Sequence, residues 1–192
     1  IFASFCVRPY SFKYLSFLLS GISGKLFRIS SIYLSDNLIV TVDVTNTGNM
    51  AGKEVMQLYA SAPQGILGKS ALSLVAFQKT KLLMPNESQR LVLSFSIDDL
   101  ASYDDLGKIQ QAAYILEAGE YRFYVGNSIR NIELITYGYT LSEHKIVCQL
   151  SSKLIPNLLG KRMVTDGTYE ELPMNTTLVD SLAQTITDIY EY

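Results

Sequence analysis

The chain has 192 residues, 48% of them apolar, and a formal net charge of −2 at pH 7. That apolar share excludes a globally disordered chain. Sixteen basic against 18 acidic residues leave no dense basic field for nucleic acid or an anionic membrane surface.

The opening segment, IFASFCVRPYSFKYLSFLLSGIS, starts at Ile1 and reads as a piece of a longer or processed chain. Arg8 and Lys13 interrupt its apolar character, and the charge-free run 14–24 is far shorter than the ~20 residues a spanning helix needs. From residue 35 to 139 the hydrophobic period is two. Leu38, Val40, Val42 and Val44 alternate with Ile39, Thr41, Asp43 and Thr45, the pattern of a strand with one buried face. NTGNMAG supplies Gly48 and Gly52 for positive φ where a hairpin reverses into the next strand, residues 55–60. Residues 61–73 read as a long loop and 74–83 as another strand region. Leu91, Leu93, Phe95 and Ile97 then alternate with polar neighbours. Residues 113–116 and 121–125 flank EAGE, read as a short hairpin turn with Gly119 at its bend, and Ile132, Leu134 and Thr136 suggest a last strand.

About seven short strands without intervening helical periods predict an all-β immunoglobulin-like sandwich. After residue 140 the pattern changes. Ile146, Val147, Leu150 and Leu154 fall at helical intervals, and Leu178, Leu182, Ile186 and Ile189 share one helical face, so the tail is expected to be α-helical. The expected division is a linker-like 1–25, a sandwich over 26–140 and a helical extension over 141–192.

Three stretches carry a resemblance. VTVDVTNTGNMAGKEVMQLYAS holds Asn46, Thr47, Gly48, Gly52, Glu54, Val55, Gln57, Leu58 and Tyr59. LVAFQKTKLLMPNES holds Leu74, Phe77, Lys79, Pro85, Glu87 and Ser88, and LEAGEYRFYVGNS holds Gly119, Glu120, Tyr121, Val125, Gly126 and Ser128. In order and spacing these resemble the C-terminal fibronectin type III-like domain of glycoside hydrolase family 3, the β-glucosidase and β-xylosidase family. Asn86 stands where that family usually has glycine, and Asn tolerates the positive φ of such a turn. PYSFKYLSF, with Pro9, Phe12, Tyr14, Leu15 and Ser16, is similar to the family's lead-in to this domain.

The resemblance implies a parent that is a retaining glycosidase, with two carboxyl groups roughly 5 Å apart across the sugar. In the family both precede this domain, so no catalytic residue is carried over to this chain, and no cofactor is implied. The implied partners are the catalytic domains of the parent enzyme, with carbohydrate contact as a further option through the loop 61–73 or a tyrosine platform of Tyr10, Tyr14, Tyr59, Tyr103 and Tyr121. Asn46, Gly48, Gly52, Glu54, Gln57, Tyr59, Phe77, Lys79, Gly119, Tyr121 and Gly126 are the motif positions expected to serve structure.

The remaining chemical candidates have plain alternatives. DDLASYDD brings Asp98, Asp99, Asp104 and Asp105 close in sequence, which would suit a carboxylate pair or calcium; a polar turn capping backbone amides is the favoured reading. Glu54 beside Lys53 reads as an edge or interdomain ion pair. His144, the sole histidine, reads as a solvated helix residue rather than a general base. Cys6 and Cys148 lack metal or disulfide-framework spacing and fit free thiols in a reducing compartment, which favours a cytoplasmic over a secreted location. Two other classes stand beside the enzyme-module reading: an autonomous immunoglobulin-like binding or adhesion module, and an independent hydrolase.

Overall fold

The computed structural model describes residues 10–13, 19–20, 25–154, 159–164 and 166–174. Its strands, in chain order, are β1 (Tyr10–Lys13), β2 (Leu19–Ser20), β3 (Lys25–Leu34), β4 (Asn37–Asn46), β5 (Val55–Ser61), β6 (Ser73–Lys79), β7 (Ser88–Ser96), β8 (Ser102–Asp104), β9 (Ala113–Leu116), β10 (Gly119–Ser128), β11 (Asn131–Leu134), β12 (Tyr139–Leu141), β13 (Lys145–Gln149), β14 (Lys161–Met163) and β15 (Tyr169–Glu171). A 3₁₀ turn, Ile97–Leu100, follows β7. Every described pairing is antiparallel. Two compact units interleave along the chain, so neither is one continuous stretch.

The first unit comprises Ile1–Pro63, Ser70–Leu100 and Gly119–Ser142. It is a two-sheet sandwich, as the alternation predicts. One sheet runs β1-β3-β4-β7 with β2 also on β3, and the other runs β11-β10-β5-β6 with β12 also on β10. Leu38, Val40, Val42 and Val44 of β4 and Leu91, Leu93 and Phe95 of β7 point inward from the first sheet. Met56, Leu58 and Ala60 of β5 and Tyr121, Phe123 and Val125 of β10 point inward from the second. Phe95 meets Phe123 edge-to-face, ring centroids 5.7 Å apart, so the layers interlock through aromatic contact as well as aliphatic burial. Each fully buried side chain of this size contributes about 1.5–3 kcal/mol.

The reversals differ from the sequence reading in three places. β4 and β5 are not a hairpin: β4 pairs with β3 and β7, β5 with β6 and β10, and residues 47–54 cross between sheets. Neither Gly48 nor Gly52 takes a positive φ there. EAGE is not a hairpin turn either. β9 pairs with β8 and β13, whereas β10 pairs with β5, β11 and β12, so the chain changes sheet at Glu117 and Ala118. Gly119 does have φ +136°, and a Cβ there would lie 2.7 Å from Pro63 Cγ, so this position demands glycine on two counts. Asn86 has φ +65°, as its place in the turn predicts.

The second unit comprises Gln64–Lys69, Ala101–Ala118 and Glu143–Tyr192. No helix forms among the described residues of the extension expected from residue 141. Residues 145–149 form β13, the edge of a three-stranded sheet β13-β9-β8, and β14 and β15 make a separate two-stranded ladder. Adjacent apolar residues in KIVCQL mimic a helical stripe, but Ile146 and Leu154 are exposed and pair with no helical core. The expected helix around Leu178 to Ile189 lies outside the described residues. His144 stands in the bend before β13, where its Nδ1 accepts the Ala118 N–H at 3.0 Å.

Candidate docking face

The connection between the sheets is where the NTG motif acts. Asn46 ends β4, is buried, and its side-chain amide donates to the carbonyls of Met50 at 2.8 Å and Leu83 at 2.9 Å. Its Oδ1 accepts the Gly48 N–H at 3.0 Å, which folds the chain back on itself. Gly52 exchanges two backbone hydrogen bonds with Leu83, and Thr80 N donates to Glu54 O at 2.8 Å. The β4–β5 and β6–β7 crossovers are thereby zipped together at one end of the sandwich. Glu54 turns its Oε1 to the Val55 N–H and accepts the Thr80 amide through its own carbonyl, a backbone role in both cases.

Beyond that zipper, strand alternation sends a second set of motif residues outward. Register places Gln57 opposite Phe77 and Tyr59 opposite Leu74. It also places Tyr59 opposite Tyr124 and Gln57 opposite Gly126. On β11, Leu134 lies opposite Tyr124 and Ile132 opposite Gly126. Cross-strand partners share a face. The outer face of the second sheet therefore carries Leu74 and Phe77, then Gln57 and Tyr59, then Tyr124, then Ile132 and Leu134, with the exposed Glu120–Arg122 pair further along β10. Phe77 is 68% exposed, Leu74 49% and Leu134 52%, an unusual clustering for a solvated sheet face. Tyr59 lies within it, only 7% exposed, its hydroxyl donating to Gln57 Oε1. At Gly126 a Cβ would fall 1.9 Å from Asn131 O and 2.8 Å from Ile132 Cα, so β11 crosses β10 without a side chain between them. Lys79, exposed at the end of β6, sits at the rim.

The outer face of the first sheet has another character. Asp43 carries Arg90 at 2.7 Å and Arg28 at 3.9 Å, and Thr45 shares a hydroxyl hydrogen bond with Ser88. The Arg90 guanidinium, against the weaker opposing effect of burial, holds the Asp43 carboxyl below its ordinary range.

The other candidates are spent on structure. Asp104 is buried and accepts amides from Lys108 at 2.9 Å, Ile109 at 2.7 Å and Gln110 at 2.9 Å, the capping role read from the acidic run. Burial pushes its pKa up, but these backbone donors outweigh it and the net shift is downward. Asp105 holds Arg162 bidentately at 2.9 and 3.1 Å. Among the described residues the tyrosines form no shared platform: Tyr121 is in the core against Tyr139, Tyr59 is buried in its sheet face, and Tyr103 packs on Tyr114 at 5.3 Å. The side chains of Tyr10 and Tyr14 lie outside the described residues. Of the loop 61–73, residues 64–69 are clasped by buried Glu117, which accepts the Ile66 N–H at 2.6 Å and the Leu67 N–H at 3.3 Å. The sequence reading did not place Tyr124 and Leu134 on this outer face. Its signal was there: apolar residues at positions that the core alternation assigns to solvent.

Residues 54–129 match the family described as fibronectin type III-like domain. β-Glucosidase A of Butyrivibrio fibrisolvens is 48% identical over 182 residues, covering 91% of this chain and 22% of that protein. A β-glucosidase of Ruminococcus albus is 41% identical over 161 residues, covering 81% of this chain and 17% of that protein. The chain thus spans about a fifth of the length of these curated relatives. Among solved structures, a β-glucosidase from Paenibacillus barengoltzii superposes on 80% of this chain and 19% of its own, with TM-score 0.68 and 42% identity. β-Glucosidase 3B from Thermotoga neapolitana superposes on 66% of this chain and 17% of its own, with TM-score 0.52 and 38% identity.

Proposed function

We propose that this chain, which carries the C-terminal-type fibronectin type III-like domain of family 3 β-glucosidases, is a non-catalytic module that steadies the catalytic region of such an enzyme. The observation that carries the reading is the use to which the motif residues are put. Asn46, Gly52 and Glu54 tie backbone to backbone, Gly119 and Gly126 permit close approach, Tyr121 fills the core, and Gln57, Tyr59 and Phe77 surface one sheet. None of these tasks is chemical. Hydrolysis of β-glucosides, with its paired carboxyl groups, then belongs to the rest of the enzyme. A glycan-binding role finds less support, because a stacking site needs an accessible flat aromatic face, and Tyr59 is only 7% exposed.

Replacing the matching region of the Butyrivibrio fibrisolvens enzyme with this chain tests the proposal. The chain alone should leave p-nitrophenyl β-glucoside intact, the graft should hydrolyse it, and the same enzyme without either region should lose activity on mild heating. Turnover by the chain alone, or undiminished heat resistance without it, would refute the role.

A further inference from the structure

Resting on that module reading, we infer that the outer face of the β6-β5-β10-β11 sheet is the surface on which the catalytic region of a β-glucosidase packs. Three observations converge. The face carries apolar side chains on each of four strands, from Leu74 and Phe77 through Tyr59 and Tyr124 to Leu134. A free sheet face of a sandwich alternates to polar residues where it meets water, and the opposite sheet carries the Arg28, Asp43 and Arg90 cluster among its exposed Val92 and Tyr33. Second, the Tyr59 hydroxyl within the face is already bonded to Gln57 Oε1, so covering the face does not strand that donor. Third, an occupant is at hand: roughly four-fifths of each curated relative lies beyond the match, so the module has a large partner in the same polypeptide. Tethering supplies a high effective concentration, and a modest apolar face beside the exposed Glu120–Arg122 pair is then sufficient for stable packing.

Charged substitutions on the two faces of the graft described above test this. Phe77→Asp and Leu134→Asp probe the apolar face; Val92→Asp is the matched control, an exposed apolar residue on β7 of the other sheet. All three positions are exposed, and circular dichroism of the isolated chain verifies that each variant folds. Phe77→Asp and Leu134→Asp should lower the temperature of half-inactivation of the graft by several degrees, and Val92→Asp should leave it in place. Equal behaviour of all three in a stable, active graft would overturn the face assignment and leave the module reading standing. A wild-type graft no more stable than the enzyme lacking the region would overturn both. An isolated chain whose dimer is broken by Phe77→Asp, or that binds soluble β-glucan through this face, would replace the catalytic region with a second copy or a glycan as occupant.

Discussion

The buried side-chain amide of Asn46 donates to the carbonyl of Leu83, 37 residues further along, at 2.9 Å. One side chain thus fastens the two crossovers that join the sheets of the sandwich. Asn46→Ala removes that bond together with those to Met50 and Gly48. Stability should fall by about 1–3 kcal/mol, read as a lower urea midpoint. Asn46→Asp should cost at least as much, because it sets a buried carboxylate against two carbonyl oxygens.

Two glycines separate lack of room from backbone strain. At Gly126 a Cβ would collide with the backbone of Asn131 and Ile132, so Gly126→Ala should displace β11 and lower stability by roughly 3 kcal/mol or more. Gly68 has φ +69° but nothing within 4 Å of a built Cβ. Gly68→Ala should cost only about 1 kcal/mol. Parallel urea titrations of the two variants give the comparison.

Strands with one buried and one polar face were legible in the sequence, β4 and β7 above all, because core burial alone sets their alternation. β3 was not, since a bulge between Ile29 and Ser31 breaks its period. β13 was misread as helix because, as an exposed edge strand, it has no buried face to impose a period of two. The two false hairpins share a cause. Adjacent strands joined by a short polar turn usually pair, and nothing local in NTGNMAG or EAGE records that the next strand belongs to another sheet. The docking face was half legible: the motif marks Gln57, Tyr59, Leu74 and Phe77, but only register adds Tyr124 and Leu134 to them.

Acid should weaken the chain partly through Asp104. Its carboxyl titrates below the ordinary range, since backbone amides outweigh the opposing effect of burial. The stability it supplies is therefore fully present above the unfolded value of about 3.9 and is lost as pH falls through the lower folded value. Asp104→Asn should cost about 2 kcal/mol at pH 7. The gap between variant and wild type should narrow below pH 4 in chemical denaturation at stepped pH. A constant gap would mean the carboxylate charge is irrelevant.

Within the second unit, Arg162 bonds Glu170 at 2.8 Å and Asp105 at 2.9 Å, and Lys108 reaches Glu170 at 2.6 Å. Lys108 and then Arg162 hold the Glu170 carboxyl below its ordinary range, so the clamp is complete near neutral pH and loosens as acid protonates it. Arg162→Ala should speed hydrogen exchange at the Val164 and Leu172 amides, which close the β14–β15 hairpin, and leave Val125 in the sandwich core protected. High salt should produce the same selective loss in the wild type, more weakly.

On the proposed function, this sandwich holds a catalytic region together rather than acting alone. Differential scanning calorimetry of the Butyrivibrio graft addresses it directly. The module and the catalytic region should unfold in one coincident transition, at a temperature that drops when Phe77 is replaced by aspartate. Two independent transitions, with activity surviving the melting of the module, would contradict it.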